Sequence, residues 1–469
     1  MIPLVEFPEI VRHYAPFFSS VFSPEAFEEF KRYISGLIVS ENKTVEGINR
    51  IFVIDVRNQS SLNRLLTESP FCVEALNDAR LDLLWSLPET QIKPKGVLSL
   101  DDTLLTHYGK HFEKIAYLYD STQGCYVWAH HLVNLHYSDD QTDYPIRFQL
   151  WEPADIAALE VGLKAAGISI RESKYVLKES DPKKWRNYLL GVWRRHQHNP
   201  EVGELYQSKL LIGQELLTQF FSKHPQHQLP ITFDNWYTQP AFCRFLDKTL
   251  KASYVGTLAG DDSVELPEGE QRLDEFDRYL QQEHQQALEA NDKPIFRKLS
   301  IRYKGEKETY YSYCKTQRIH NFGKHRLVIN HRKADLSDTP TYFISNKLNW
   351  QAGGITRIRR HRWPVEVYHE EGKADGLNQY QVRNFDAIYR HIALVAVTYS
   401  LLRAVQHDKD LLHKLQQNIE IKLDGSAAAW RRTTQAQALW SLVSFIATAL
   451  SQGKTLNEVV HPILATVSY

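Results

Sequence analysis

Cysteine is scarce in this sequence, and its placement excludes two kinds of stabilising site. The 469 residues include four cysteines, Cys72, Cys125, Cys243 and Cys314, which lie far apart and form no Cys-x-x-Cys pair. Histidines do not cluster with them at the spacing of metal ligands. Neither a disulfide framework nor a zinc site is therefore indicated, and the pattern fits a protein in a reducing, intracellular compartment.

An excess of charge of one sign is also absent. Lys and Arg together number 56, as do Asp and Glu, so the formal net charge is zero. This balance excludes a uniformly basic surface for nucleic acid, although it leaves room for local basic patches. The longest apolar run, residues 392–402, is about half as long as a membrane span requires, and the N-terminus lacks a signal-peptide pattern. We therefore expect a cytoplasmic protein with no membrane contact.

The spacing of apolar residues changes along the sequence. Apolar residues recur at helical spacing up to about residue 90, beginning where Ser23 and Pro24 can cap and open a helix. Short apolar runs at 97–100, 229–233 and 253–258 are then typical of strands, and the last two flank a predicted helix. With a hairpin expected around 115–135, this order predicts a ribonuclease H-like α/β fold.

Charge is distributed unevenly in the second half of the chain. Residues 261–292 contain eleven Asp and Glu against two Arg, whereas residues 293–373 contain eighteen Lys and Arg against seven Asp and Glu. Runs rich in β-branched and aromatic residues in this part predict a small inserted sheet. The predicted organisation is a helical N-terminal DNA-binding domain at 1–92, a catalytic domain beginning at 93–259, a β-rich insertion at 260–350, the rest of the catalytic domain at 351–405, and a helical C-terminal region at 406–469.

Three acidic residues are candidates for catalysis because of their positions. Asp102 and Asp234 each follow a short apolar strand, and Glu366 shares a helix face with Arg362 and Lys373. Carboxylates brought together from separate elements can hold two Mg²⁺ ions, which stabilise the attacking and leaving oxygens of a phosphodiester. A strand-end Asp is more often a turn former, however, and an Arg–Glu pair four residues apart is more often a surface ion pair.

The motifs around these residues resemble those of bacterial insertion-sequence DDE transposases. Residues 100–103 (LDDT) and 231–237 (ITFDNWY) are similar to the strand ends that carry the two catalytic aspartates of that family. Arg362, Glu366 and Lys373, followed by 376–377 (GL) and 380–383 (YQVR), match the group whose last helix has the signature Tyr-x2-Arg-x3-Glu-x6-Lys. Residues 33–37 (YISGL) and 67–71 (TESPF) also look like the N-terminal region of this group, and a β-rich insertion between the second Asp and the Glu is a family trait.

Two positions need separate comment. The signature tyrosine falls at position 359, where this chain has Arg359, so a phosphate or base contact made by the tyrosine would need an electrostatic replacement. Asp101 and Asp102 are adjacent and should point to opposite sides of an extended strand, so only one can face the site. The family pattern favours Asp102.

The resemblance implies an enzyme that cuts DNA at the ends of its element and joins the freed 3′-hydroxyl to target DNA. It implies two Mg²⁺ ions, replaceable by Mn²⁺, held by Asp102, Asp234 and Glu366, and a homodimer on duplex DNA associated with the nucleoid. Arg362 and Lys373 would then contact DNA phosphates. The alternatives are a catalytically silent DNA-binding descendant and a ribonuclease H-like nuclease that only hydrolyses.

Further candidates for DNA contact lie outside these motifs. Basic residues in the predicted insertion could follow a phosphate backbone, although a solvated strand face would look the same; they are Lys324, Arg326, Arg332 and Lys333. Trp236 and Tyr342 could stack on an extruded base, although core packing is the commoner role of such residues. Trp185 and Trp193, interleaved with arginines, fit helix-surface packing equally well.

Overall fold

A computed structural model describes residues 2–416 and 425–467 of the chain. Its α-helices, numbered in chain order, are α1 Glu9–Tyr14, α2 Pro24–Val39, α3 Val45–Arg50, α4 Gln59–Thr67, α5 Val73–Ser86, α6 Ile156–Ala165, α7 Val176–Ser180, α8 Pro182–His196, α9 Pro200–Gly203, α10 Lys209–Lys223, α11 Pro240–Lys248, α12 Leu273–Glu289, α13 Ala352–Arg360, α14 Trp363–Ala374, α15 Phe385–Ala404, α16 Lys409–Gln416, α17 Ala427–Ser451 and α18 Leu456–Val467. Its strands are β1 Val97–His107, β2 Ala116–Asp120, β3 Cys125–Ser138, β4 Asp143–Trp151, β5 Ile231–Phe233, β6 Tyr254–Leu258, β7 Ser263–Leu266, β8 Gly269–Arg272, β9 Arg297–Tyr303, β10 Glu306–Ile319, β11 Gly323–His331 and β12 Thr341–Ser345.

Helix α2 shows how the N-terminal helices follow from their sequence. The Ser23 side chain accepts a hydrogen bond from the Ala26 amide, and Pro24 occupies the first turn, so the helix begins where the sequence predicted. Its buried residues, which include Phe30, Ile34 and Leu37, recur at helical spacing. They form part of a hydrophobic core that extends through α15 to the central sheet.

The centre of the sheet has the arrangement expected of a ribonuclease H-like domain. Strand β1 pairs in parallel with β5, which pairs in parallel with β6, while β3 and then β4 continue antiparallel on the other side of β1. Leu98 lies opposite Ile231, and Leu100 lies opposite Phe233. Strand β1 continues to His107, so Asp101 and Asp102 lie within the strand, whereas the sequence predicted that the strand ends before Asp102. The two aspartates lie beside the end of β5, where Asp234 begins the following turn, and chemistry gathers at such strand ends in an open α/β sheet.

The β-rich segment does not form the separate small sheet predicted from the sequence. Strand β12 pairs antiparallel with β6, with Tyr342 opposite Leu258, and β11 and β10 extend the same sheet. Within the described residues, all twelve strands belong to this one sheet. The pairing has a physical reason, because β6 would otherwise leave a row of unpaired backbone groups at the sheet edge.

A helical segment between β4 and β5 has its own hydrophobic core. Helices α6 to α9 enclose buried side chains that include Trp185, Leu189 and Trp193. The Trp193 indole donates a hydrogen bond of 3.0 Å to the Val202 carbonyl. These tryptophans therefore hold the segment together, rather than forming a basic-aromatic surface with their neighbouring arginines.

Helix α15 and the turn that follows it form a stretch long and apolar enough to cross a membrane by length and composition. Most of this stretch is buried within the protein, where it packs against α2, α4 and α5 and against β4. Burial among other elements is typical of the central helix of a folded core. The domain boundaries predicted from the sequence remain predictions.

Candidate active site

The side chains of Asp101 and Asp102, which are neighbours in β1, lie on opposite faces of the sheet. The Ser99 hydroxyl donates a hydrogen bond of 2.8 Å to the His361 carbonyl, so this row of side chains faces the junction of α13 and α14. Leu100 faces α10 and packs closely against Gly213 of that helix. A Cβ atom added to Gly213 would lie 2.6 Å from Leu100 Cδ2. Because side chains alternate along a strand, Asp101 faces α14 and Asp102 faces α10.

Arg362 joins Asp101 to Glu366. Its Nη1 donates a hydrogen bond of 2.6 Å to Asp101 Oδ2, and its Nη2 donates to Glu366 Oε1. Arg362 is the residue that precedes α14, and Glu366 lies in the first turn of that helix, where the helix dipole stabilises a negative charge. The structure thus brings together Asp101, Arg362 and Glu366 through direct contacts.

Asp234 follows β5 and lies close to this group. Its Oδ1 accepts a hydrogen bond of 3.2 Å from the Tyr237 amide, which fixes the turn after the strand. Burial raises the pKa of Asp234, and the negative charge of Asp102 adds to the rise, while Arg362 and Arg359 oppose it. Asp234 is therefore within electrostatic reach of the aspartates of β1 and of the arginines around α14.

Asp102 has a different environment from the one predicted. A hydrogen bond links its Oδ2 to His131 Nε2, and Lys209 Nζ lies 3.0 Å from the same oxygen. Although burial works in the opposite direction, these contacts hold the pKa of Asp102 below its ordinary value. The prediction that Asp102 rather than Asp101 faces Glu366 differs from the structure, because strand alternation turns Asp102 towards α10.

Asp101, unlike Asp102, has a raised pKa. Burial raises the pKa of Asp101 to about 7, and the negative charges of Asp234 and Asp102 also raise it, against the lowering effect of Arg362. Two carboxylates with raised pKa values, the buried Asp101 and the partly buried Asp234, are therefore within electrostatic reach of each other, and Arg362 joins Asp101 to Glu366. Such a concentration of negative charge favours a bound cation.

The oxygen donors of this site suit a hard divalent cation. Asp101, Asp234 and Glu366 supply carboxylate oxygens, the ligands that Mg²⁺ prefers. Among the described residues, no three His, Cys, Asp or Glu side chains are already close enough to form a metal site. The Arg362 guanidinium lies between two of these carboxylates and neutralises them. The residues therefore fit a divalent cation in their chemistry, provided that Arg362 moves.

The other two residues of the predicted signature lie on either side of this group. Arg359 Nε donates a hydrogen bond of 2.8 Å to the Thr257 hydroxyl of β6, and burial together with the charge of Arg362 lowers the pKa of Arg359 to about 9. Lys373 is near Asp120 and Glu370, whose charges oppose the lowering of its pKa by burial. Lys373 thus lies beside the end of β2.

The basic residues of β11 and its flanks do not form the single face that the sequence suggested. Lys324 is at the start of β11, whereas Arg332 and Lys333 follow its end, about 27 Å away at the usual rise of a strand. Arg326 donates a hydrogen bond of 3.0 Å to the Trp350 carbonyl, which holds it against the fold. Arg332 is on the side of the candidate site, where it lines a cavity of about 280 Å³ with Arg359 and other arginines.

The two aromatic candidates have different environments. Trp236 is 41% exposed, and Lys209 Nζ lies 3.8 Å from the centroid of its ring. Tyr342 is buried and belongs to the hydrophobic core around α12. Trp236 is therefore available to a ligand, whereas Tyr342 has the core role that the sequence left open.

Sequence reasoning missed two residues that the structure places beside the candidate site. His131 comes from β3 and Lys209 from the first turn of α10, and both contact Asp102. His131 lies in a predicted strand, but its partner is 29 residues away, at a distance that local patterns do not reveal. Lys209 follows Ser208, whose side chain caps α10, and the sequence predicted a helix over 205–221 but gave no sign that this lysine contacts Asp102.

One carboxylate within β1 and one just after the adjacent parallel strand β5, beside a helix that bears a third carboxylate, are compatible with a ribonuclease H-like nuclease. The chain belongs to the DDE superfamily endonuclease family, whose model matches residues 16–277. This match confirms the predicted superfamily and implies an enzyme that acts on DNA; nucleases of this kind generally use divalent metal ions. The matched region includes Asp101, Asp102 and Asp234 and ends before Glu366. No curated protein shows significant similarity to the chain.

Proposed function

We propose that this protein is an insertion-sequence transposase of the group with the Tyr-x2-Arg-x3-Glu-x6-Lys signature. It cleaves DNA at the ends of its element and joins the freed 3′-hydroxyl to target DNA. The observation that carries the proposal is the bridge from Asp101 through Arg362 to Glu366, beside Asp234, in a chain of the DDE endonuclease family. One site serves both steps, because both are phosphoryl transfers that differ only in the nucleophile.

The chemistry rests on oxygen ligands from three elements. Mg²⁺ ions, which Mn²⁺ can replace, supply the Lewis acidity that stabilises the attacking and leaving oxygens. We assign the first ligand to Asp101 rather than to Asp102, because Asp101 is the carboxylate linked to Glu366 through Arg362. Asp102 is the neighbouring carboxylate on the other face of β1, and Lys209 and His131 hold it in place.

Arg362 has two roles in this proposal. It neutralises Asp101 and Glu366 through its ion pairs with both. Its Nε has no hydrogen-bond partner in the described parts of the chain, so the guanidinium retains a donor for a phosphate oxygen. With a divalent cation held by Asp101 and Glu366, Arg362 would be free to contact a DNA phosphate, and Arg359 would supply positive charge in place of the signature tyrosine.

The resemblance to this transposase group supports the substrate and assembly that we propose. Duplex DNA from the element ends and from the target meets at the edge of the sheet, a homodimer holds two ends, and the N-terminal helices bind the terminal repeats. Lys373 contacts a phosphate beyond Glu366, on the side of β2. The enzyme acts in the cytoplasm, associated with the nucleoid.

A strand-transfer assay tests this proposal against its alternatives. Purified protein, Mg²⁺ and DNA that carries the inverted repeats flanking the gene should yield both nicked ends and joined products. A silent DNA-binding descendant would bind the ends without cutting them, and a hydrolytic nuclease would cut without joining. Either of these results would replace the proposed function.

A further inference from the structure

Strand β3 places a buried amide beside Asp101. Asn134 lies directly opposite Asp101 in the antiparallel pairing of β3 with β1. The side chains of two such residues lie on the same face of the sheet, with their Cβ atoms about 5 Å apart. Asn134 is therefore on the α14 face, next to the carboxylate that we assign as the first metal ligand.

The position is unusual for an asparagine. Asn134 is completely buried, and its neighbours along the strand are the buried residues Leu132, Val133 and Leu135. Asparagine is depleted from strands and is seldom fully buried, because its side chain carries both donors and an acceptor that need partners. Packing alone would favour an apolar residue here, so the amide indicates a polar partner on this face.

His369 binds one side of this amide. The Asn134 Nδ2 and His369 Nε2 atoms are 2.9 Å apart, and His369 lies in α14 three residues after Glu366. Burial lowers the pKa of His369 to about 3, so its ring is neutral and Nε2 can accept a hydrogen bond from the amide. His369 therefore takes the nitrogen of the amide and leaves the oxygen for another partner.

The amide oxygen lacks a partner within the described residues. Asn134 Oδ1 is buried and accepts no hydrogen bond there. Proteins rarely leave a buried polar atom unpaired, and an exception points to a bound ion or water. Hard divalent cations bind amide oxygens as well as carboxylates. A cation held by Asp101 and Glu366 would thus supply the missing partner.

We propose that Asn134 supplies a neutral oxygen ligand to the divalent cation held by Asp101 and Glu366, and that His369 orients this ligand. The inference rests on the proposed function, from which it takes the cation. It adds a residue of β3 that belongs to none of the three acidic motifs. A neutral ligand has a physical advantage at this position, because it coordinates metal without adding to the mutual repulsion of the buried carboxylates.

Calorimetric titration of the full-length protein with MnCl2, in the absence of DNA, tests the ligand. Asn134→Ala should weaken Mn²⁺ binding about tenfold or more, as expected when a group that completes a metal site is lost. Asn77→Ala is the matched control. Asn77 is also buried, but it lies in α5 and both sides of its amide are bonded within the protein, to the Ile146 carbonyl and to Arg80. This variant should bind Mn²⁺ as the wild type does. An unchanged affinity in Asn134→Ala, or an equal loss in both variants, would overturn the proposal.

A second pair of variants tests the role of His369 and does not depend on the folding of Asn134→Ala. His369→Ala leaves the amide free to rotate and should also weaken Mn²⁺ binding. His369→Gln should restore most of the affinity, because the side-chain oxygen of glutamine can accept the hydrogen bond from Asn134. Urea unfolding of the same variants separates this role from packing. A loss of stability in His369→Ala with unchanged Mn²⁺ affinity would show that His369 only packs against the sheet, and would overturn its part in the proposal.

The outcome for the ligand is independent of the outcome for the transposase, since the titration requires neither DNA nor cleavage. A protein that binds Mn²⁺ through Asn134 but never joins DNA ends would retain this ligand and lose the proposed function. A protein that joins DNA ends, and whose Asn134→Ala variant binds Mn²⁺ as the wild type does, would retain the proposed function and lose the ligand.

Discussion

Replacing Lys209 with alanine tests how strongly the fold depends on the partners of Asp102. Lys209 Nζ and Asp102 Oδ2 are 3.0 Å apart, and both side chains are 15% exposed. The substitution leaves a largely buried carboxylate without its cationic partner, although His131 and Tyr237 still contact it. A hydrogen bond between charged groups contributes about 1.5–3 kcal/mol. We therefore expect Lys209→Ala to lower the free energy of unfolding by about 2–3 kcal/mol.

Lys223 provides a matched control on the same helix. It pairs with Asp78 at 3.0 Å, but the two side chains are 48% and 47% exposed. Such an exposed pair contributes about 0–1 kcal/mol, so Lys223→Ala should change the free energy of unfolding by no more than that. Urea unfolding of both variants at one pH, followed by tryptophan fluorescence, makes the comparison. A loss for Lys209→Ala no greater than that for Lys223→Ala would refute the reasoning.

The other predictions concern metal and DNA. Because the pKa of Asp101 is raised to about 7, protons compete with metal below that pH. Mg²⁺ affinity, measured by calorimetry, should therefore fall up to about tenfold per pH unit below 7 and level off above it. Ca²⁺ should permit DNA binding with little cleavage, as a gel assay of both can show. The double variant Arg332→Ala/Lys333→Ala should flatten the salt dependence of DNA binding by up to about two units, and Lys324→Ala should not, because Lys324 is at the far end of β11.

Each of these predictions has an outcome that contradicts it. A Mg²⁺ affinity that does not change between pH 6 and pH 8 would remove Asp101 from the metal site. Efficient cleavage in Ca²⁺ would argue against a Mg²⁺-type site. Equal effects of the Arg332/Lys333 and Lys324 variants would show that DNA does not follow the active-site end of β11.

The sequence predicted the central strands because their patterns are local. Strands β5 and β6 lie within the apolar runs at 229–233 and 253–258, and β1 begins at the run that starts with Val97. Strand β4 was missed, and Pro145 within it is a residue that normally argues against a strand. The helices α6–α9 were not predicted as a unit with its own core, because the sequence left Trp185 and Trp193 open between DNA contact and packing on a helix surface.

The choice between Asp101 and Asp102 could not be made from local sequence. Two adjacent aspartates at a strand end are equivalent in pattern, and what distinguishes them is which helix packs on each face of β1. That packing depends on α10 and α14, which lie far from β1 along the chain. The roles of Lys209 and His131 depend on the same long-range packing and were not predictable for the same reason.

The most direct test of the central claim is the Mg²⁺-dependent cleavage of end-containing DNA by four purified proteins: the wild type, Asp101→Asn, Asp102→Asn and Asp234→Asn. An amide cannot supply the anionic oxygen that Mg²⁺ requires, so Asp101→Asn and Asp234→Asn should bind the DNA ends and leave them uncut. Asp102→Asn should retain measurable cleavage. Cleavage within tenfold of wild type by Asp234→Asn would contradict the account of the site, and an active Asp101→Asn beside an inactive Asp102→Asn would return the first metal ligand to Asp102.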